Sequence, residues 1–312
     1  MTDVLVMGAG AVGGYYGACL VRAGHAVTFV ARGANLDALR SKGLRVTGAM
    51  GEITVDDVRA TDDPSSVSAD LVLMGVKNYD LPDAARAVRD SGGIVLTLQN
   101  GVDAPDVARD VLGDVVLAGT TGIVADMPEP GHVDVVSAYA WVRFGEWAAG
   151  GTGVWTGADG SGITERVEHV HAWIGVDGID AIAVPDARVA LWEKMTLMCG
   201  MAGLTTLYQR PMGKILGDAS TREEFVAIFR ECERVARAKD VQLPDDFIEQ
   251  RIAYAENVDK AAMSSMSRDF ARGRKIEIET FNGAIVRMGA ELGIDVPANR
   301  AVYDGIVAAA RR

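Results

Sequence analysis

An α/β fold, in which a parallel sheet with crossover helices is followed by an all-helical domain, is predicted by three observations. The first half of the chain alternates short β-rich runs with helical patterns; a glycine signature falls where a first strand would turn into a first helix; and beyond about Pro185 nearly every segment reads as helix. At 312 residues the chain exceeds one ordinary domain, and a hydrophobic fraction of 49% is ample for a sizeable core in each of two. We place the division so that residues 1–184 form the first domain and 185–312 the second.

The elements follow in order. "DVLVM" reads as a strand, residues 11 to 23 as a helix and "AVTFV" as the next strand; "DLVLMGV", a helix through "DLPDAARAVRD" and "GIVLTLQN" continue the rhythm. From about residue 116 the texture changes to "VVLAGTTGIVA", "GHVDVVSA" and "AWVRFGEW", separated by Pro and Gly, which predicts antiparallel strands closing the same sheet. The Gly-rich patch "WAAGGTGVWTGADGSG" reads as a mobile loop. A helix in "GITERVEHVHAWI" and the short run "DAIAVPD" complete the domain.

Four helical segments are expected beyond it: residues 186 to 208, "REEFVAIFRECERVARAKD", "DDFIEQRIAYAEN", and a long piece through "RKIEIETFNGAIVRMGAELG". Ser220 with Glu223 supplies a capping box. In the helix that follows, Phe225, Ile228, Phe229, Cys232 and Val235 recur at helical spacing while Glu and Arg fill the other side, which predicts core packing with a solvated face.

Acidic groups outnumber basic ones, 43 to 31, and the net charge of -12 argues against a general nucleic-acid or anionic-membrane binder. Cys19, Cys199 and Cys232 show no spacing of a disulfide framework or a zinc site. The start, "MTDVLVMGAG", lacks the pattern of an export signal, and no window approaches the roughly 18 uninterrupted apolar residues of a membrane span, so a reduced, cytoplasmic protein is expected. His169 and His171 are two apart on a presumed helix and point in different directions, while His25 and His132 sit in apparent turns; no catalytic metal is expected.

Gly8, Gly10 and Gly13 form a GxGxxG pattern directly after a strand and at the mouth of a helix. Gly8 permits the tight turn, Gly10 lets backbone approach a pyrophosphate, and Gly13 allows close packing of helix on strand; with Ala11 and Val12 they present free N–H groups and the positive end of a helix to the phosphates. The domain therefore reads as a Rossmann dinucleotide-binding domain. The second strand runs out as Val30, Ala31, Arg32, where an NAD protein usually presents an acidic side chain to the ribose hydroxyls. Arginine cannot accept those hydrogen bonds but pairs with a 2'-phosphate through a planar fork of donors, which predicts NADPH (and NADP) over NADH.

"ALWEKMTLMCGMAGLTTLYQ", residues 190 to 209, holds one lysine, Lys194, with only Glu193 for charged company. Burying an ammonium group is expensive unless something holds or uses it, and the alternative is a lysine that snorkels to water.

With these pieces assembled, the chain resembles the ketopantoate reductase (2-dehydropantoate 2-reductase) family over nearly its whole length. The resemblance is carried by "GAGAVGGYYG", "VKNYD" with Lys77, "LQNGV" with Asn100, "LWEKM" with Lys194, and "SSMSRDFARGRKIEIETFNG" with Ser265 and Glu277, and it ends in "GIDVPAN". It implies a Rossmann domain followed by a helical domain similar to that of 6-phosphogluconate dehydrogenase, an active site in the cleft between them, and a homodimer through the helical domain. It also implies that Lys194 donates a proton to the ketone oxygen of a small 2-oxo acid, that Glu277 binds substrate and positions the lysine, and that Ser265 holds the substrate carboxylate. Asn100 would sit beside nicotinamide and substrate, and Lys77 on the cofactor side. A lysine in a semi-apolar cleft has its charged form disfavoured, which brings its acidity toward neutral pH.

Departures from the family pattern fall in the substrate pocket. Members that reduce ketopantoate typically carry asparagines four and eight residues after the lysine, where this chain has Met198 and Ala202; a third asparagine is replaced by Ala262. Exchanging amides for apolar side chains remakes a pocket built to recognise a hydroxyl. A more hydrophobic 2-oxo acid, as in D-mandelate-type dehydrogenases of the family, is thus the rival substrate to ketopantoate, and a non-catalytic NADPH sensor is the alternative outside enzymes.

Overall fold

The computed structural model describes residues 1–147 and 162–310; the glycine-rich patch read above as a mobile loop lies outside the described residues from 148 to 161. The chain divides into two compact units, one of Met1–Asn100 with Ala104–Ala190, the other of Gly101–Asp103 with Leu191–Arg312.

The first unit opens with β1 (Asp3–Met7), α1 (Ala11–Arg22), β2 (Ala26–Val30), α2 (Gly33–Lys42), β3 (Leu44–Gly48), β4 (Ile53–Val55) and β5 (Arg59–Thr61). It continues through β6 (Leu71–Met74), α3 (Leu81–Ala87), β7 (Ile94–Thr97), α4 (Ala104–Leu112), β8 (Val116–Gly122), β9 (Ala125–Glu129), β10 (His132–Val135), β11 (Trp141–Gly145), α5 (Glu165–Ile174) and β12 (Asp180–Ala183). Among the described residues, eight strands form the main sheet in the order β12-β11-β8-β7-β6-β1-β2-β5. Every pairing in it is parallel except β11 on β8. Val4–Met7 and Leu71–Met74 are buried without alternation, as parallel strands covered on both faces must be.

The expectation that the later strands all close this sheet is corrected. The runs around residues 116 and 141 do join it, but "GHVDVVSA" supplies β10, which pairs parallel to β3 in a second sheet of order β4-β3-β10-β9. The cause is α1, whose sequence "AVGGYYGACLVR" carries its one charge at the end and is buried from Gly13 to Leu20. A helix apolar around most of its circumference needs cover beyond one sheet. The small sheet supplies it: a methyl group at Gly14 would come within 2.9 Å of Val133. His132 accordingly lies in a strand rather than a turn, with Nε2 2.8 Å from the Thr47 hydroxyl.

The helical unit contains most of α6 (Ala187–Tyr208), then α7 (Met212–Gly217), α8 (Ala219–Ala238), α9 (Phe247–Glu256), α10 (Ser265–Ala271), α11 (Asn282–Leu292) and α12 (Pro297–Ala310). Phe225, Ile228, Phe229, Cys232 and Val235 are all buried along α8, as their spacing predicted. On the face expected to be solvated, Glu231 is an exception at 4% exposed. Its carboxylate accepts the backbone N–H groups of Ala298 and Asn299, both at 2.8 Å, so it closes the N-terminus of α12 with a charge of favourable sign. The long helix expected through "RKIEIETFNG" is broken: α10 ends ahead of Gly273, whose φ of +65° is the left-handed stop that glycine permits, and α11 begins only at Asn282. The capping box is corrected as well. Asp218 is the N-cap of α8, its Oδ1 accepting from Ser220 N (3.0 Å) and Thr221 N (3.2 Å), which leaves Ser220 inside the first turn.

Two substitutions separate these caps. Asp218→Ala should cost about 1 kcal/mol of stability, as N-cap losses do, whereas Ser220→Ala should stay within about 0.5 kcal/mol. Chemical denaturation midpoints measure both, and a larger loss for Ser220→Ala would reverse the assignment.

Candidate active site

In the first unit the strand order sets out the site. β7, β6, β1 and β2 are consecutive and parallel, so the segments leaving their C-terminal ends lie side by side along one edge. These segments carry Asn100, Lys77, the glycine turn and Arg32 respectively. The chain steps from β1 to β2 on one side and returns to β6 on the other, which makes this edge the switch point where open α/β sheets bind ligands.

The turn is shaped by two missing side chains. Gly8 has φ of +104°, and a Cβ there would meet Val76 at 2.9 Å; a Cβ on Gly13 would collide with the Gly8 carbonyl oxygen. Gly75, not singled out from the sequence, completes the approach: its N–H donates to Met7 O at 2.8 Å, and a Cβ on it would lie 2.9 Å from Gly8 O. Its signal was a glycine directly after the apolar run "LVLM". At Gly10, the N-cap of α1, an added Cβ would meet nothing within 4 Å, so the backbone there faces open space. A turn with that opening at the N-terminus of a helix, with Ala11 and Val12 as the first helical residues, fits a pyrophosphate.

Around it, Arg32 is exposed at the N-cap of α2, and Lys77 is exposed just before a short 3₁₀ turn, Asn78–Asp80. Asn100 is half-buried, and its carbonyl accepts from Asn78 Nδ2 at 2.7 Å. Buried Gln99 donates to the carbonyls of Met74 (2.8 Å) and Val76 (3.1 Å), tying the ends of β7 and β6 together. Asn78 and Gln99 were legible only as neighbours of the motif residues.

In the helical unit, Lys194 is half-buried on α6. Loss of solvent pushes its pKa down to about 8 from 10.5, and the Glu277 carboxylate acts in the opposite direction. Over that window the unfolded chain holds a proton that the folded site has released, so stability rises as pH climbs from about 8 toward 10.5, and the charged lysine is a cost below it. Glu277 is half-buried in the non-helical stretch between α10 and α11. Glu193, the one charged neighbour of Lys194 in the run, is half-buried with Arg251 Nη2 3.7 Å from its Oε1, and that guanidinium also lies over the Phe247 and Tyr254 rings.

Met198 is half-buried and Ala202 is 0% exposed, one and two turns along α6 from Lys194. Ser265 is exposed at the first position of α10, while the buried hydroxyls are its neighbours Ser264 and Ser267. These two fasten α10 to α6: Ser264 Oγ lies 3.0 Å from Thr205 Oγ1, and Ser267 Oγ donates to Thr205 O at 3.0 Å. Ala262 is half-buried. No cluster of three or more potential metal ligands occurs among the described residues, and no helix there is long and apolar enough to cross a membrane.

Two family models cover the chain: "Ketopantoate reductase PanE/ApbA" over residues 4–149 and "Ketopantoate reductase PanE/ApbA C terminal" over 186–309. A 2-dehydropantoate 2-reductase of Halobacterium salinarum is 32% identical over 309 residues, covering 96% of this chain and 96% of that protein. A crystal structure of a PanE/ApbA family ketopantoate reductase from Ralstonia eutropha JMP134 superposes with a TM-score of 0.85 at 34% identity, covering 99% and 98% of the two chains. A ternary structure of D-mandelate dehydrogenase with NADH and anilino(oxo)acetate has the same fold, with a TM-score of 0.85 at 21% identity over 99% and 98%. The chain belongs to the ketopantoate reductase PanE/ApbA family.

The coupling of Lys194 to Glu277 is testable in the free protein. NMR titration of labelled lysine side chains should show one midpoint near 8, and Glu277→Gln should move it lower. An unchanged or higher midpoint in that variant would refute the coupling.

Proposed function

We propose that this protein catalyses the NADPH-dependent reduction of a 2-oxo acid to the 2-hydroxy acid, with ketopantoate, giving pantoate, as the first substrate. The observation that carries this reading is the half-buried Lys194, its acidity brought toward neutral and electrostatically tied to Glu277, in a chain that also has a pyrophosphate-shaped glycine turn. The names of the relatives support the same substrate: the Halobacterium salinarum protein is a 2-dehydropantoate 2-reductase.

When bound, the reduced nicotinamide supplies the hydride. Gly8, Gly10, Ala11, Val12 and Gly13 would hold the pyrophosphate of the cofactor, Arg32 its 2'-phosphate, and Lys77 and Asn100 its nicotinamide side. Lys194 holds the proton that the ketone oxygen takes, and its positive charge stabilises the negative charge developing on that oxygen. Glu277 favours the protonated lysine against the pull of desolvation, and with a pKa of about 8 the lysine is mostly charged at neutral pH. Ser265 receives the substrate carboxylate, and Asn100 the reacting end of the substrate. The family resemblance also supports a homodimer through the helical unit and a cytoplasmic enzyme.

A second reading concerns the acid reduced. The face of α6 that carries Lys194 continues as Met198 and Ala202 with no amide, and Ala262 adds a third apolar side chain, which favours a branched or aromatic tail over a hydroxymethyl.

Nicotinamide absorbance, followed with ketopantoate, 2-oxoisovalerate and benzoylformate, ranks these substrates by kcat/KM; no oxidation of NADPH with any of them would sink the proposal. Lys194→Ala should lower kcat by about 10²–10⁴-fold, the range of a lost general acid, while NADPH still binds. A variant that turned over normally would remove Lys194 from the mechanism.

A further inference from the structure

Asn35 lies in the first turns of α2, three residues beyond Arg32, and its amide joins two other elements. Its Nδ2 donates to the carbonyl of Ala9 at 2.8 Å, and its Oδ1 accepts the N–H of Gly131 at 2.9 Å. Ala9 is the residue between Gly8 and Gly10, and its own N–H donates to Val30 O, the last residue of β2, at 2.9 Å. The central peptide groups of the glycine turn are therefore held on both sides by the β2–α2 corner, which is the corner that carries Arg32. Gly131, in the turn between β9 and β10 with φ of +77°, anchors the far side of the amide to the small sheet. Arg32 itself is exposed, in extended backbone, followed by Gly33 at φ of +53°. Backbone bonds hold the corner up to Arg32, through the Ala9 N–H on Val30 O and the Ala31 N–H on Thr61 O at 3.0 Å, and beyond Arg32 the Asn35 amide ties it back to the turn.

We propose that Asn35 is a positioning residue for cofactor choice: by bridging Ala9 and Gly131 it fixes the separation between the pyrophosphate turn and Arg32, and selection of NADPH over NADH depends on that separation. This rests on the reading of Arg32 as the 2'-phosphate ligand. A cofactor gripped at its pyrophosphate presents the 2'-phosphate at one place, and a planar guanidinium makes its paired hydrogen bonds only when it is aligned with that place. NADH carries only a hydroxyl there and has no ion pair with Arg32 to lose. Cutting the bridge should therefore penalise NADPH more than NADH, whereas a side chain that merely stabilised the fold would penalise both alike.

The test is the dissociation constant of NADPH and of NADH, each titrated by nicotinamide fluorescence, for the unaltered protein, Arg32→Ala, Asn35→Asp and Asn35→Ala. Asn35→Ala removes the bridge without adding charge and carries the test; Asn35→Asp keeps the acceptor for Gly131 but sets a carboxylate oxygen against the Ala9 carbonyl, and the denaturation midpoint of each variant is measured beside its affinities. The expected result is a preference for NADPH in the unaltered protein that Arg32→Ala abolishes and that both Asn35 variants reduce by about ten-fold, the loss expected from one misaligned charge-assisted hydrogen bond. Equal weakening of both cofactors, or an unchanged ratio, in the Asn35 variants while Arg32→Ala abolishes the preference would overturn the role of Asn35 alone. No preference in the unaltered protein, or a preference that survives Arg32→Ala, would overturn the reading of Arg32 and this proposal with it.

Discussion

The close approach of backbone to backbone at Gly8, Gly13 and Gly75 is the constraint on which the first unit depends. Three chain segments meet where no side chain fits: the turn after β1, the first turn of α1 and the end of β6. Because these glycines lack Cβ atoms, α1 starts close against the sheet edge with its free N–H groups at the opening beside Gly10. The same closeness buries α1 so deeply that the sheet alone cannot cover it. The small sheet of β3, β4, β9 and β10 follows from that, and through Gly131 it also reaches Asn35 and the turn. One packing requirement thus generates both the opening at the N-terminus of α1 and the added layer that steadies it.

A second constraint governs the helical unit. Lys194 is placed where losing water lowers its proton affinity, and one carboxylate, Glu277, limits the loss. Glu193, adjacent in sequence, would add a second negative charge near the site, but the guanidinium of Arg251 lies 3.7 Å away and offsets it. Two acids thereby play different parts: one faces a permanent cation, the other raises the proton affinity of a desolvated lysine. Environment, and not residue type, separates them.

How much of this was legible in the sequence depended on whether the signal was local. The glycine turn, Arg32 at the end of its strand and the lone lysine of "ALWEKMTLMCGMAGLTTLYQ" are signals within a few residues, and the structure places the first two along one sheet edge. The small sheet was not legible, because β3 pairs with β10 across more than eighty residues and neither strand exceeds five. The break between α10 and α11 had a local signal, Gly273, that apolar periodicity on both sides concealed. Asp218 and Ser220 are both good capping residues, two apart, and only geometry chooses between them. Asn35 carried no signal at all, since its two partners come from distant turns.

On the proposed reading of Lys194, the polar groups around α6 bear on which 2-oxo acid would be reduced. Thr205 shares its face with Lys194, yet its hydroxyl is taken by Met201 O at 2.7 Å and by Ser264 at 3.0 Å, while Ser267 bonds its carbonyl. That polarity is consumed in docking α10, the helix whose first residue is Ser265. Thr196 and Thr206 keep buried hydroxyl oxygens without a hydrogen-bond partner, but at about 100° per residue they lie roughly 160° and 120° around the helix from Lys194. Between Lys194 and Thr205, then, the face offers Met198 and Ala202, side chains with no hydroxyl or amide to give. A hydroxyl on a substrate tail lying there would lose its water without gaining a partner from α6, whereas an apolar tail would lose nothing. This asymmetry, set by two side chains and by the hydroxyls already committed to α10, is the physical ground for weighing a hydrophobic 2-oxo acid against ketopantoate.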